Sequence, residues 1–283
     1  METIRASGLT AEAARRLRLC GGTGRVHSAF ARTVNLELDG LEDLGWLSLH
    51  GPGLIPSAFG IACDSWKLTD GLEGASVRIE ANAIALDGRL LVRLETAGLR
   101  DTTLQTPAPL PAIAGCLARA LSSITGGLLP VIAHLLADAA LPRDPLARKA
   151  YPALAALYDA TRAREAADCV GAARWLLGLG PGLTPAGDDC LVGWLAGVWV
   201  AGPDGRSLVE ATAGGLSEAA RTLTGPLSRA FLAAAVSGQA AEPLYGFVSA
   251  PNWTSLARLL SLGATSGADL LGGYLLGRAA LAP

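Results

Sequence analysis

Residues 178 to 189 read Gly-Leu-Gly-Pro-Gly-Leu-Thr-Pro-Ala-Gly-Asp-Asp. Four glycines and two prolines between Gly178 and Gly187 exclude the interior of a helix or a sheet. The apolar run from Cys190 to Val200 follows at once and has the length and character of a buried helix. A hydroxyl, Thr184, and two adjacent carboxylates, Asp188 and Asp189, therefore stand where a helix begins. Free backbone N–H groups and the positive end of the helix dipole make such a place receptive to a small anion or a phosphate. Helix capping accounts for one acidic residue here, with Thr184 as N-cap and Pro185 at the first helical position. It asks for neither the second carboxylate nor Gly178, Gly180 and Gly182.

A second segment repeats the pattern. Thr265, Ser266 and Gly267 precede Asp269, and placing Asp269 on Asp189 brings Gly273 onto Gly193 and Gly277 onto Gly197. Each segment thus runs Thr, Gly, Asp and then a Gly-x-x-x-Gly helix. Glycines one turn apart strip a helix face of side chains and admit another helix unusually close. If the two helices cross there in parallel, each aspartate stands about 6 Å above the crossing, four residues at about 1.5 Å each. The two N-termini then converge on one anion site. Asp188, Asp189 and Asp269 would there hold a substrate amide, a proton in transit, or a magnesium ion beside a phosphate. The competing reading makes Ser266-x-x-Asp269 a capping box and the glycines packing alone.

Other candidates are weaker. His50 closes a strand-like run before the turn Gly51-Pro52-Gly53 and reads as a structural histidine. Arg221 to Arg229, with Thr224 and Ser228 around a Gly-Pro break, suits either an anion clamp or the cap of a following helix. No lysine follows the glycine-rich loop as in a phosphate-loop kinase, no G-x-S-x-G occurs, and no Cys–His pairing or metal-ligand spacing of histidines is visible.

The elements that must hold these residues change character along the chain. Up to about residue 105 the pattern is β-rich. Val34–Leu38, Ala75–Glu80 and the pair Ala83–Leu86 and Leu90–Glu95 alternate or run apolar, and the last two flank Asp87-Gly88-Arg89, a hairpin signal. Thr106-Pro-Ala-Pro-Leu-Pro111 marks the change, and beyond it the pattern is helical and rich in Ala and Leu. The expectation is an α+β protein, with a β-rich barrel or sandwich over residues 1–105 and a larger helical part over 106–283 that carries the site.

Composition narrows the partners. The chain is 51% hydrophobic with a net charge of −2, so nothing points to nucleic acid. The apolar excess is mostly Ala, Leu and Gly, which suits packed helices. No apolar stretch approaches the ~20 residues of a membrane span, and the N-terminus lacks a signal-peptide core, so a cytoplasmic protein is expected. Five scattered cysteines with no C-x-x-C read as reduced core thiols.

The Gly178–Asp189 motif, with Thr265-Ser-Gly-Ala-Asp269, resembles the signature of a bacterial family, the AllH type, which includes a subunit of oxamate carbamoyltransferase from anaerobic allantoin breakdown. The chain departs from the family motif at Ala186, where Ser is usual, and at Cys190, where an aromatic is usual. The resemblance implies a component of a multi-subunit transferase that moves a carbamoyl group between an amide nitrogen and phosphate, with a small anionic substrate. It implies that Gly180, Gly182, Leu183, Thr184, Gly187, Ser266 and Gly267 line the anion site, with Thr265 and Arg221 beside them. Asp188, Asp189 and Asp269 would be catalytic, with Asp188 or Asp189 orienting or deprotonating the nitrogen. No cofactor is firmly implied, magnesium being the candidate. The expected partners are other subunits, a second copy of the chain, or both. Two further readings stay open, a stand-alone magnesium-dependent enzyme on another small anion and a non-catalytic structural subunit.

Overall fold

The computed structural model describes residues 2–20, 22–53, 55–66, 71–105, 107, 113–122, 124 and 126–282. Most of the expected boundary segment Thr106–Pro111 lies outside them. The chain divides into two compact units. The first holds residues up to Thr103 together with Gln239–Glu242, and the second holds Leu104–Gly238 and Pro243–Pro283.

The first unit is a barrel. Its strands are β1 (Glu2–Thr10), β2 (Thr23–Phe30), β3 (Thr33–Leu38), β4 (Trp46–His50), β5 (Gly60–Cys63), β6 (Ser76–Glu80), β7 (Ala83–Leu86), β8 (Leu90–Arg93) and β9 (Gly98–Arg100), with helix α1 (Ala11–Leu19) after β1. Eight strands run in the order β5-β4-β3-β2-β6-β7-β8-β1, and pairing of β1 with β5 closes the ring. The long β1 makes closure possible. It pairs in parallel with β8 and then β9 along one edge, and antiparallel with β5 along the other. Closure leaves no exposed edge between β1 and β5. Val26, Leu36, Leu49, Ile61, Ile84 and Val92 fill the interior. The Asp87-Gly88 hairpin turns with both residues at positive φ, 47° and 64°.

β1 and α1 were not anticipated from the sequence. Every second residue of β1 from Ile4 points inward, but those positions are Ile4, Ala6, Gly8 and Thr10, so the alternation is hidden in small and polar residues. Thr10 Oγ1 accepts the N–H of Ala13 and starts α1. On α1 the buried Arg16 donates Nε to Glu12 Oε1 at 2.7 Å and an NH1 proton to the Trp46 carbonyl.

The second unit is helical, with α2 (Ile113–Leu121), α3 (Leu129–Ala137), α4 (Pro145–Ala163), α5 (Ala166–Ala173), α6 (Ala186–Trp199), α7 (Pro203–Leu223), α8 (Pro226–Val236), α9 (Glu242–Ser249), α10 (Trp253–Leu260) and α11 (Ser266–Ala280). α9, whose first residue belongs to the barrel unit, was also not anticipated; it is short and holds Pro243 and Gly246. α6 and α11 are buried almost all round, from Ala186 to Val198 and from Gly267 to Gly277. A helix apolar on every side belongs in the centre of its unit. All five cysteines are free thiols. Among the described residues no helix is long and apolar enough to cross a membrane.

Candidate active site

α6 and α11 touch backbone to backbone. A Cβ built on Gly193 would collide with the Leu270 carbonyl oxygen, and one on Gly197 with that of Tyr274. From the other side, Gly273 faces the backbone of Cys190 and Gly277 that of Trp194, whose carbonyl oxygen would lie 2.8 Å from an added Cβ. Both rows ascend together, so the helices run parallel. Their first turns stand at the same level, in the register that sets Asp269 beside Asp189.

The two helix starts are built alike. Gly187 sits against the Leu176 carbonyl and donates its N–H to Leu179 O at 2.9 Å. Gly267 sits against the Leu259 carbonyl and donates to Leu262 O at 3.0 Å. A side chain at either position would push the helix off the turn beneath it. The N-cap residues are Pro185 and Thr265, and neither helix has a side-chain capping bond. The capping arrangement allowed by the sequence is therefore not the one adopted. Thr184 precedes the cap and Ser266 is the first helical residue, and both hydroxyls act instead on Asp189.

Three carboxyls are buried here with different surroundings. Asp188 is fully partnered: Gly178 N–H donates to Oδ1 at 2.8 Å, and Thr224 Oγ1 makes a very short bond to Oδ2. Burial raises its pKa, and the bonds from Thr224, Gly178 and Ser228 oppose the rise. Asp189 is 8% exposed and its Oδ2 has no hydrogen-bond partner. Burial pushes its pKa up to about 7, with the Asp269 and Asp188 charges adding to the rise and the Ser266 and Thr184 hydroxyls opposing it. Asp269 is fully buried; Leu128 N–H donates to its Oδ1 at 2.5 Å, while Oδ2 has no partner. Burial raises its pKa to about 6 against the Leu128 and Thr265 contacts. Two neighbouring carboxyls thus each keep one unsatisfied buried oxygen, which is costly unless a ligand or a proton completes it.

The glycine loop is shaped for this assembly. Gly178, Gly180 and Gly182 adopt φ of 71°, 119° and 99°. Gly178 also lies on the Leu223 carbonyl at the end of α7, and Gly180 faces the Ala186 N–H. Leu183 is 43% exposed at the tip, and its carbonyl accepts from Ser228 Oγ. Arg221 is exposed in the last turn of α7. Two hydroxyls of that segment, Thr224 and Ser228, reach Asp188 and the glycine loop. Gly127 and Leu128 were not foreseen as neighbours of Asp269; 141 residues separate Leu128 from Asp269, and nothing local in sequence signals the contact.

The other candidates resolve simply. His50 is buried between Thr33 Oγ1 and Ser57 Oγ, each 3.1 Å from a ring nitrogen, and burial lowers its pKa to about 3, as suits a structural residue. A magnesium ion asks for several oxygen ligands. Among the described residues no group of three or more metal-ligating side chains comes together.

Residues 176–278 match a family model described as oxamate carbamoyltransferase subunit AllH. Residues 4–100 match a second, described as the AllH family N-terminal domain, so the two cover most of the chain. No solved structure matches.

Proposed function

Since the chain belongs to the AllH family, we propose that it carries the carbamoyl-transfer site of an oxamate carbamoyltransferase assembled with other subunits. The observation that carries this reading is the pair of unsatisfied buried oxygens, Asp189 Oδ2 and Asp269 Oδ2, at two parallel and uncapped helix starts. Packing alone would explain the glycine contacts but would leave both oxygens unsatisfied. The positive ends of the two helix dipoles, with Gly180, Gly182 and Gly187 keeping side chains out of the way, suit the phosphate or carboxylate of a small substrate. The carboxyl oxygens suit the N–H groups of its amide.

In the catabolic direction the reaction is oxalurate plus phosphate to oxamate plus carbamoyl phosphate. A phosphate oxygen attacks the carbamoyl carbon, the C–N bond to the oxamate nitrogen breaks, and that nitrogen takes up a proton. Asp189, whose pKa burial raises to about 7, is available at neutral pH in both forms: the carboxylic acid supplies the proton, and in the reverse direction the carboxylate removes it. Asp269 orients the amide through Oδ2. Asp188 is a positioning residue, since both its oxygens are spent on holding Gly178 and Thr224. The dipoles of the two helices stabilise charge on the phosphate and carbonyl oxygens as the bond changes.

The test is phosphate-dependent release of carbamoyl phosphate from oxalurate by the assembled enzyme. Asp189→Asn should lower kcat by ~100-fold or more, the usual scale for losing a general acid. Full activity of Asp189→Asn and Asp269→Asn enzymes would remove these residues from the reaction.

A further inference from the structure

Away from the acid pair, α4 and α5 enclose an open groove of about 990 Å³. Its floor is the alanine face of α4, including Ala156 and Ala160, with Gly171 and Ala172 of α5. On its rim stands Trp175, 73% exposed, the most exposed large apolar side chain among the described residues. The charges of the groove are sorted by position. Arg148 and Lys149 lie near the N-terminal end of α4, and Asp159 lies eleven residues past Arg148 on the same helix, about 16 Å at about 1.5 Å per residue. Asp168, in the first turn of α5 just past the C-terminal end of α4, is on the acidic side as well.

A surface that is basic at one end, acidic at the other and apolar between is complementary to itself under a two-fold axis. We propose that the chain forms a symmetric homodimer through this groove, α4 packing antiparallel to α4 of a second copy. Arg148 and Lys149 of each copy then face the acidic end of the other, and the two tryptophan rings enter the opposite alanine floors. The alanines permit close approach of the helices, and the indole rings leave water as they enter. This inference is independent of the transferase reading, because it uses neither the acid pair nor the glycine loop.

The experiment is the oligomeric state of the purified chain by sedimentation velocity over a concentration series. Wild type is expected to be a dimer. Ala156→Glu, a change at an exposed position, should yield a monomer with an unchanged circular-dichroism spectrum. Arg148→Glu and Asp159→Arg should each weaken the dimer by roughly tenfold, since like charges then meet twice across the axis. The double variant Arg148→Glu/Asp159→Arg should recover most of that loss. A monomeric wild type, a dimer indifferent to Ala156→Glu, or a double variant as weak as the singles overturns the proposal. So does a groove that proves, by the same substitutions, to bind only a different transferase subunit.

Discussion

Gly193 lies against the carbonyl oxygen of Leu270 so closely that not even a methyl group fits between α6 and α11. The same contact is made in reverse by Gly273 on Cys190. These approaches set the level of both helix starts and so bring Asp189 and Asp269 together.

Gly193→Ala and Gly273→Ala should each cost about 1–3 kcal/mol or more in urea unfolding, the scale for overpacking, since the atoms met are backbone. The matched control is Gly214→Ala in α7, where a Cβ meets nothing. Removing an exposed mid-helix glycine there should gain roughly 0.5–1 kcal/mol. Equal effects at the three positions would show that close packing is not what the glycines serve.

The acid pair should make stability fall as pH rises. Burial lifts the Asp189 pKa from the ordinary 3.8 of an aspartate to about 7 and that of Asp269 to about 6. Between these limits the folded state binds more protons than the unfolded one, so its stability is fullest below about pH 4 and is lost as pH rises through 6 to 7. Asp189→Asn and Asp269→Asn keep the shape without the charge. Each should raise stability at pH 8 by roughly 1 kcal/mol or more while activity falls. Thermal melts from pH 5 to pH 8 decide it, and parallel curves for wild type and both variants would contradict the assignment.

Thr224 binds Asp188 across 36 residues and joins the α7–α8 corner to the glycine loop. Thr224→Val leaves Asp188 Oδ2 short of a donor and should cost about 1–3 kcal/mol. Since Asp188 acts through the loop, the activity change should fall mainly on KM. A kcat loss as deep as that of Asp189→Asn, with KM unchanged, would place Asp188 in the chemistry itself.

In the barrel, the Glu12–Arg16 pair is almost dry, with side chains 4% and 0% exposed. Glu12→Ala strands a buried guanidinium that also lies over the Phe59 ring, and should cost about 3–5 kcal/mol. Denaturant titration of that variant against Glu37→Ala, whose ion pair with Arg25 is solvent-exposed, provides the comparison.

Much of the site is legible in the chain itself, because it is written in residues with few other uses. Glycines at a one-turn spacing, a Pro-Gly loop before an apolar run, and the repeat of Thr, Gly and Asp 80 residues later mark two like helix starts and the faces on which they could meet. The helical half was also readable, since Ala and Leu periodicity is local. The barrel was less so. β1 presents Ala6, Gly8 and Thr10 to the interior, and its partners β5, β8 and β9 lie some 50 to 100 residues away.

The residue types alone determined that two helices would each carry a glycine face open to close approach and acids in the first turn, because glycine's lack of a side chain is a property of each position. That the two faces meet, and meet in parallel, came from the tertiary structure. Only the tertiary structure decided which acid is free. Asp188 and Asp189 are neighbours in sequence, but successive residues on a helix point about 100° apart. One therefore meets Gly178 and Thr224, while the other turns toward α11 and keeps an unsatisfied oxygen. Asp269 acquires its single backbone donor from Leu128, a contact that exists only once α3 has packed against α11.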